Sequence, residues 1–322
     1  MASFIFAHIS LGGTLGVIFI GSSVSSMLYG LTCLQTMTYF RSKKAKTDSR
    51  GLHLLVAMLL LFDSAHQAIV IHICYNYLVL GVKDPFRLAI LVWSVPIEVF
   101  LNGILAIMLN SFLTLRLWRL SNHNILLTAL AGALSLANLG TNISYGVRGY
   151  QYKDLFEAEA MLRPHGIAGL SISVANELMI STSLAYYLYS RRTGLRRSKN
   201  IVNRLIALTV TTGMLTTIFD VVDLIAYTTA RDNLYVLFFN FLLAKLYANA
   251  LLTSLNGREY ILGIDGDSKA PGQEAIMLTP HSADSSRPAN VRLASHGVHV
   301  AVDQFIVSET DRDTVAKFGR WM

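Results

Sequence analysis

The sequence predicts an all-α polytopic membrane protein, a bundle of seven transmembrane helices with a disordered C-terminal tail. Three observations carry this reading. Of the 322 residues, 53% are apolar and only 15% charged, far less charge than a soluble surface needs. The mean hydropathy is +0.47, and the apolar residues gather into seven long runs. A bilayer core about 30 Å thick is crossed by about 20 apolar residues as a helix. The net charge of +7 does not point to nucleic acid, because the basic residues sit in short clusters between apolar runs, as membrane topology requires.

The first run, Leu11–Tyr39, is too long for the apolar part of a cleaved signal and reads as a retained signal anchor. Gly12, Gly16, Ser22 and Ser26 suit close helix packing there. The second, Leu52–Leu80, holds Asp63, His66 and His72. The third, Leu88–Leu113, contains Pro96, which is expected to kink it. The fourth, Ile125–Tyr145, is weakened near its end by Asn138, Gly140, Thr141 and Asn142. The last three are Ile167–Tyr189, Ile201–Tyr227 and Leu234–Leu255. Closed barrels are excluded, since the runs are continuous and do not alternate.

Between the fourth and fifth runs lies Val147–Gly166, read as the longest outside connection and as a connector in preference to a ligand lid. Asn142-Ile143-Ser144 has the form of a glycosylation sequon but sits too close to a helix end to be used. Cys33 and Cys74 lie within apolar runs and read as free packing thiols.

Orientation follows from Lys and Arg near the run ends. Arg41, Lys43, Lys44, Lys46, Arg50, Arg116, Arg119, Arg191, Arg192, Arg196, Arg197 and Lys199 give one side twelve. Lys83, Arg87, Arg148, Lys153, Arg163 and Arg231 give the other six. The amino terminus is therefore expected outside and the carboxyl terminus in the cytoplasm, in the plasma membrane or an endomembrane. Residues 1–258 form the seven-helix domain and residues 259–322 a disordered cytoplasmic tail rich in Ser, Asp, Gly and Ala. Arg292-Leu293-Ala294-Ser295 has the form of a basic-directed phosphorylation site, and Val298, Val300 and Val302 alternate with other residues. Such a tail could engage a cytoplasmic partner.

Several phrases together carry a resemblance. They are Leu28-Tyr29-Gly30 with Gln35 and Tyr39-Phe40, Asp63-Ser64-Ala65-His66, and Arg116-Leu117-Trp118-Arg119-Leu120-Ser121. Later come Tyr186-Tyr187-Leu188 with Arg192-Thr193-Gly194, Thr212-Gly213-Met214-Leu215-Thr216, Lys245-Leu246-Tyr247-Ala248-Asn249, and Ser254-Leu255-Asn256-Gly257-Arg258. Over roughly residues 11–258 the chain resembles seven-helix membrane proteins of mushroom-forming fungi, whose last three helices are catalogued as a domain of unknown function. Such proteins usually carry Asp in the middle of helix five, where this chain has Glu177. The resemblance implies fold and membrane placement, not chemistry.

Ionisable residues within membrane helices are costly and normally face the bundle interior. At 1.5 Å per residue, Asp63, Glu98, Glu177 and Lys245 each fall about 15–16 Å from a helix end, near one plane. Helical spacing sets His66 near Asp63, Asn102 near Glu98, Ser173 and Ser181 near Glu177, and Asn249 near Lys245. Helix six presents Thr212, Thr216, Asp220 and Asp223. The candidate intramembrane polar pocket is thus Asp63, His66, Glu98, Asn102, Glu177, Asp220, Asp223, Lys245 and Asn249. Lys245 is expected to face inward and pair with Glu98, Glu177, Asp63 or Asp220, Asp220 being nearest along the chain. His66 and His72 read as packing residues, not metal ligands.

A receptor or sensor of small-molecule ligands fits seven helices, an outside amino terminus and basic inner loops. A transporter or channel for a small solute or ion is the alternative, favoured by the mid-membrane charges but lacking an internal repeat. No nucleophile and base stand together, so no enzyme activity is expected. The tryptophans are Trp93, Trp118 and Trp321, none in helices five to seven, which argues against a retinal pocket at Lys245 with Glu98 as counter-ion. No cofactor is expected. Arg116 and Arg119 read first as positive-inside residues, since Leu115 stands where a switch arginine would have an acidic neighbour.

Overall fold

A computed structural model describes residues 12–42, 45–81, 84–190, 196–229 and 235–263. Seven helices make up nearly all of it. They are α1 (Val17–Arg41), α2 (Arg50–Tyr75), α3 (Ser94–Leu120), α4 (Ile125–Gly149), α5 (Leu155–Ser190), α6 (Arg196–Thr229) and α7 (Tyr235–Gly263). A π turn, Gly12–Gly16, leads into α1, and another, Asn76–Leu80, extends α2. The expected tail beyond Gly263 and the basic residues Lys43, Lys44, Lys83, Arg191, Arg192 and Arg231 lie outside the described residues.

Among the described residues, six stretches are long and apolar enough to cross a membrane: Gly13–Arg41, Arg50–Leu80, Ser94–Leu120, Ile125–Gly149, Ala160–Ser190 and Tyr235–Gly257. The sequence predicts seven crossings, and α6 is not among these six. Side chains of α6 are described only over 211–229.

Each helix packs beside the next, and α7 returns to α1, so the seven close a ring; α3 and α7 also meet across it. Short connections make consecutive helices antiparallel. The starts of α1, α3, α5 and α7 thus share one end, here called the amino-terminal end. Polar groups face in and apolar ones out. Asp63, His66, Glu98, Asp223 and Lys245 have no exposed surface, whereas Met27, Leu54, Leu61 and Leu126 are largely exposed. This is the pattern lipid selects.

Several boundaries differ from the sequence reading: α7 runs on to Gly263, past the expected start of the tail at 259, and three others reshape the connections. The third helix begins at Ser94, not Leu88, because Pro85–Ala89 forms a 3-10 turn. Pro96 consequently sits in the first turn of α3, where the backbone N–H has no helical partner to lose, so no Pro96 kink arises. Most of Val147–Gly166 is helical: α4 runs to Gly149 and α5 starts at Leu155. The connection left is short and tied down, Leu91 N donating to Lys153 O at 2.9 Å, which leaves no segment for a lid.

The α3–α4 turn is built by residues in the left-handed region, Asn122 (φ 58°) and His123 (φ 66°). Asn tolerates this conformation better than most residues. His123 N closes the turn onto Trp118 O at 3.1 Å. Asn124 then caps α4, its side chain accepting from Leu127 N at 3.2 Å.

Candidate functional site

The buried polar groups fall into two regions separated by α7. On one side, Lys245 Nζ donates to Asp63 Oδ1 at 2.6 Å and to Asp63 O at 2.9 Å, with neither side chain exposed. The Tyr29 ring lies 5.1 Å from Nζ, close enough for a cation–π contact. Tyr29 OH stands 2.9 Å from Ser64 Oγ. Asn249 Nδ2 donates to Thr32 Oγ1 and Leu28 O. Lower down, Gln35 Nε2 donates to Thr253 Oγ1, and Asn256 Nδ2 donates to Gln35 O. Phrases far apart in the chain, on α1, α2 and α7, thus meet in one network.

His66 turns away from Asp63 toward α3, its Nε2 3.2 Å from Glu98 Oε1. Asn102 does not reach Glu98. It crosses to α7, where its Nδ2 donates to Asn240 Oδ1 at 3.0 Å and Asn240 O at 3.3 Å.

On the other side of α7 the groups line cavities. The larger has a volume of about 80 Å³, room for several waters. Its walls come from the amino-terminal halves of the bundle: Val95, Val99 and Asn102 on α3, Asn138, Thr141 and Tyr145 on α4, His165 and Gly169 on α5, Tyr227 on α6, and Leu237 and Asn240 on α7. Two glycines make the space. A Cβ on Gly166 would run into the Tyr227 ring, and one on Gly103 would stand 2.8 Å from Asn142 Cβ. Asn142 is held inside, its Nδ2 donating to Asn138 O at 2.8 Å. On the amino-terminal side of this cavity, Arg163 donates to Tyr227 O at 3.2 Å and Thr228 O at 2.7 Å, satisfying carbonyls at the end of α6.

The cavity is floored by three groups. Ser173 Oγ donates to Asp220 Oδ2 at 2.9 Å, and Tyr247 OH donates to Asp220 Oδ1 and Oδ2 at 3.1 and 3.2 Å. Below this floor lies a second cavity of about 20 Å³, lined by Asn110, Glu177, Ser181, Thr216 and Ser254 among others. Thr217 Oγ1 donates to Glu177 Oε2 at 3.3 Å, and Glu177 Oε1 has no hydrogen-bond partner among the described residues. Neither oxygen of Asp223 has one either. At the lower end Arg116 is buried and donates to Ser254 Oγ at 3.2 Å, so it is no simple surface charge, whereas Arg119 is exposed.

Of the nine residues the sequence singles out, only Asn102 and Asp220 line the larger cavity. Glu177 lines the smaller. Asp63, Lys245, His66, Glu98 and Asn249 bond to one another or to α1, and Asp223 is buried beside neither cavity. The cavity residues outside that set include Tyr145, His165, Tyr227, Asn240 and Tyr247. One signal existed: the polar group Asn138, Thr141 and Asn142, read as a weak helix end, is part of the cavity wall. Both cysteines are free thiols, and Ser22 Oγ donates to Cys74 Sγ at 3.4 Å. Among the described residues no three His, Cys, Asp or Glu side chains are grouped as metal ligands would be. His72 instead stands 3.0 Å from Ser94 Oγ and 4.7 Å from the Trp93 ring.

A closed ring of apolar-faced helices with a polar interior defines a multi-pass helical membrane protein. Within it, residues 173–260 match the model of a family of unknown function, DUF6534. The matched segment takes in the rest of α5, all of α6 and most of α7, and with them Ser173, Glu177, Asp220, Lys245 and Tyr247. No match was found among curated proteins or among solved structures.

Proposed function

We propose that this chain is a receptor- or sensor-like seven-helix protein that takes a small molecule into the larger cavity from the amino-terminal end. The observation that carries the reading is the position of that cavity. It occupies one half of the bundle and stops at Ser173, Asp220 and Tyr247. Ligand sites of this kind mix apolar walls with a few placed polar groups, as Val95, Val99 and Leu237 do here with Asn102, Asn240 and Asp220.

In this reading α6 is the seventh crossing. Met214, Leu215, Ile218, Val222 and Ile225 form one exposed apolar face on it, and a face of that kind suits lipid. The amino terminus is then outside and the tail cytoplasmic, in line with twelve basic residues against six. The likeness to fungal seven-helix proteins over the whole bundle belongs to the same proposal.

A transporter or channel is the second reading, favoured by one observation: the smaller cavity lies on the far side of the Asp220–Tyr247 floor. Two measurements on the full chain separate the readings. In detergent, a panel of lipids, sterols, small volatiles, amines, alcohols and ions should contain a compound that raises the unfolding midpoint saturably, and Val99→Phe, which fills the cavity, should remove the effect. In proteoliposomes that compound should not cross. No Val99-dependent shift by any compound would sink the ligand-binding reading, and flux of the bound compound would replace it by transport.

A further inference from the structure

We infer that the larger cavity recognises a small organic ammonium ion, its charged head held by Asp220 and its hydrocarbon part lying against the walls above. This deepens the ligand-binding reading and rests on it. Asp220 reaches the cavity from α6 and is only 1% exposed. Its oxygens accept from Ser173 Oγ and from Tyr247 OH. Two hydroxyl donors are partners that a carboxylate accepts from.

No basic side chain pairs with Asp220 among the described residues. Lys245, on the adjoining helix α7, is used elsewhere. Lys245 and Tyr247 are two residues apart on α7, hence about 200° apart around its axis. Tyr247 therefore faces Asp220 while Lys245 faces Asp63, which holds it at 2.6 Å. Arg163 is committed to the carbonyls of Tyr227 and Thr228. Asp223 and Glu177 add acid on either side of Asp220 along the buried face and bring no base. The bundle thus sets a carboxyl group at the end of a cavity, and among the described residues no Lys, Arg or His bonds to it, His165 on the cavity wall included.

The walls decide which cation fits. An inorganic ion wants a shell of oxygen ligands. Above Asp220 the lining includes Val95, Val99, Leu170 and Leu237, with the rings of Tyr145 and Tyr227. Apolar and aromatic surface favours the alkyl part of an amine. A volume of about 80 Å³ suits an amine of a few carbons.

The probes are n-butylammonium, n-butanol, butyrate and KCl at matched ionic strength, titrated into the full-length protein in nanodiscs. A charge-assisted hydrogen bond predicts that butylammonium binds about tenfold to a hundredfold tighter than butanol. Butyrate and K⁺ should neither bind nor compete. Asp220→Asn should erase the preference for the amine, and Glu177→Gln, in the lower cavity, should keep it. If Asp220→Asn does not fold, Val99→Phe should abolish butylammonium binding with the Asp220 cradle intact. Equal binding of butanol and butylammonium would overturn the ammonium assignment and leave the ligand-binding reading standing. Competition by K⁺ would assign the site to an inorganic cation and overturn it as well. Amine binding that survives both Asp220→Asn and Val99→Phe would place it elsewhere. Binding of no probe would overturn the ammonium assignment, and the broader compound panel would still decide the reading beneath it.

Discussion

Lys245 on α7 and Asp63 on α2 form a 2.6 Å ion pair with no exposed surface on either side chain. Both partners are 182 positions apart in the chain, so the pair fixes how the last helix seats against the second. An unpaired charge at this depth is costly. Breaking a buried pair by removing one partner commonly costs about 3–5 kcal/mol, because the other charge stays behind. Lys245→Met should therefore lower stability by that order in detergent unfolding. Lys245→Met with Asp63→Asn should recover part of the loss, and Lys245→Met with Asp220→Asn should be additive. A cycle coupled to Asp220 instead of Asp63 would contradict the observed seating.

Asp223 offers the contrast. It is as buried as Asp63, yet neither of its oxygens has a hydrogen-bond partner among the described residues. Removing a buried polar group that lacks partners loses little and can help. Asp223→Ala should change stability by no more than about 1 kcal/mol, whereas Asp63→Ala should be strongly destabilising. Equal losses in the two variants, read from unfolding midpoints, would show that Asp223 holds the bundle too.

Two helical glycines should respond oppositely to alanine. At Gly132 a Cβ meets nothing within 4 Å, while at Gly166 it meets the Tyr227 ring. Helix propensity alone favours Ala over Gly by about 1 kcal/mol. Gly132→Ala should thus be neutral or stabilising. Gly166→Ala should lose stability or cavity binding, since the buried Tyr227 ring must shift. The same sign at both positions would mean that Gly166 is not there to make space.

Truncation after Gly263 should leave membrane expression and the unfolding midpoint unchanged. Among the described side chains of α7 the last buried ones are Leu251, Leu252, Ser254 and Leu255, and the composition of the tail offers little to pack. A large fall in either measurement would place the tail against the bundle.

The membrane class and the helices were legible in the sequence because long apolar runs and basic clusters are one-dimensional signals. So was the idea that Asp63, Glu98 and Lys245 are interior, since depth follows from counting residues. Who meets whom was not. Depth gives no azimuth: Asp220 is near Lys245 along the chain, but the rotation of α7 turns Lys245 to α2 and Tyr247 to α6. Local spacing misled in the same way, His66 leaving Asp63 for Glu98 and Asn102 leaving Glu98 for Asn240. The cavity itself was hidden because neutral residues build most of it. Asn138 and Thr141 look like helix weakness until the facing helices are known.

The proposed cavity is reached from one side and closed by the Asp220–Tyr247 floor. Cysteine accessibility tests it most directly, in a background where Cys33 and Cys74 are replaced by Ala. Cysteines placed at Tyr145 and Val99, above the floor, should react with a membrane-impermeant thiol reagent applied from the amino-terminal side only. Those at Thr216 and Asn110, below it, should not react from that side. Labelling of Thr216→Cys or Asn110→Cys from the amino-terminal side, or of Val99→Cys from both sides, would show a path through the bundle and contradict the account.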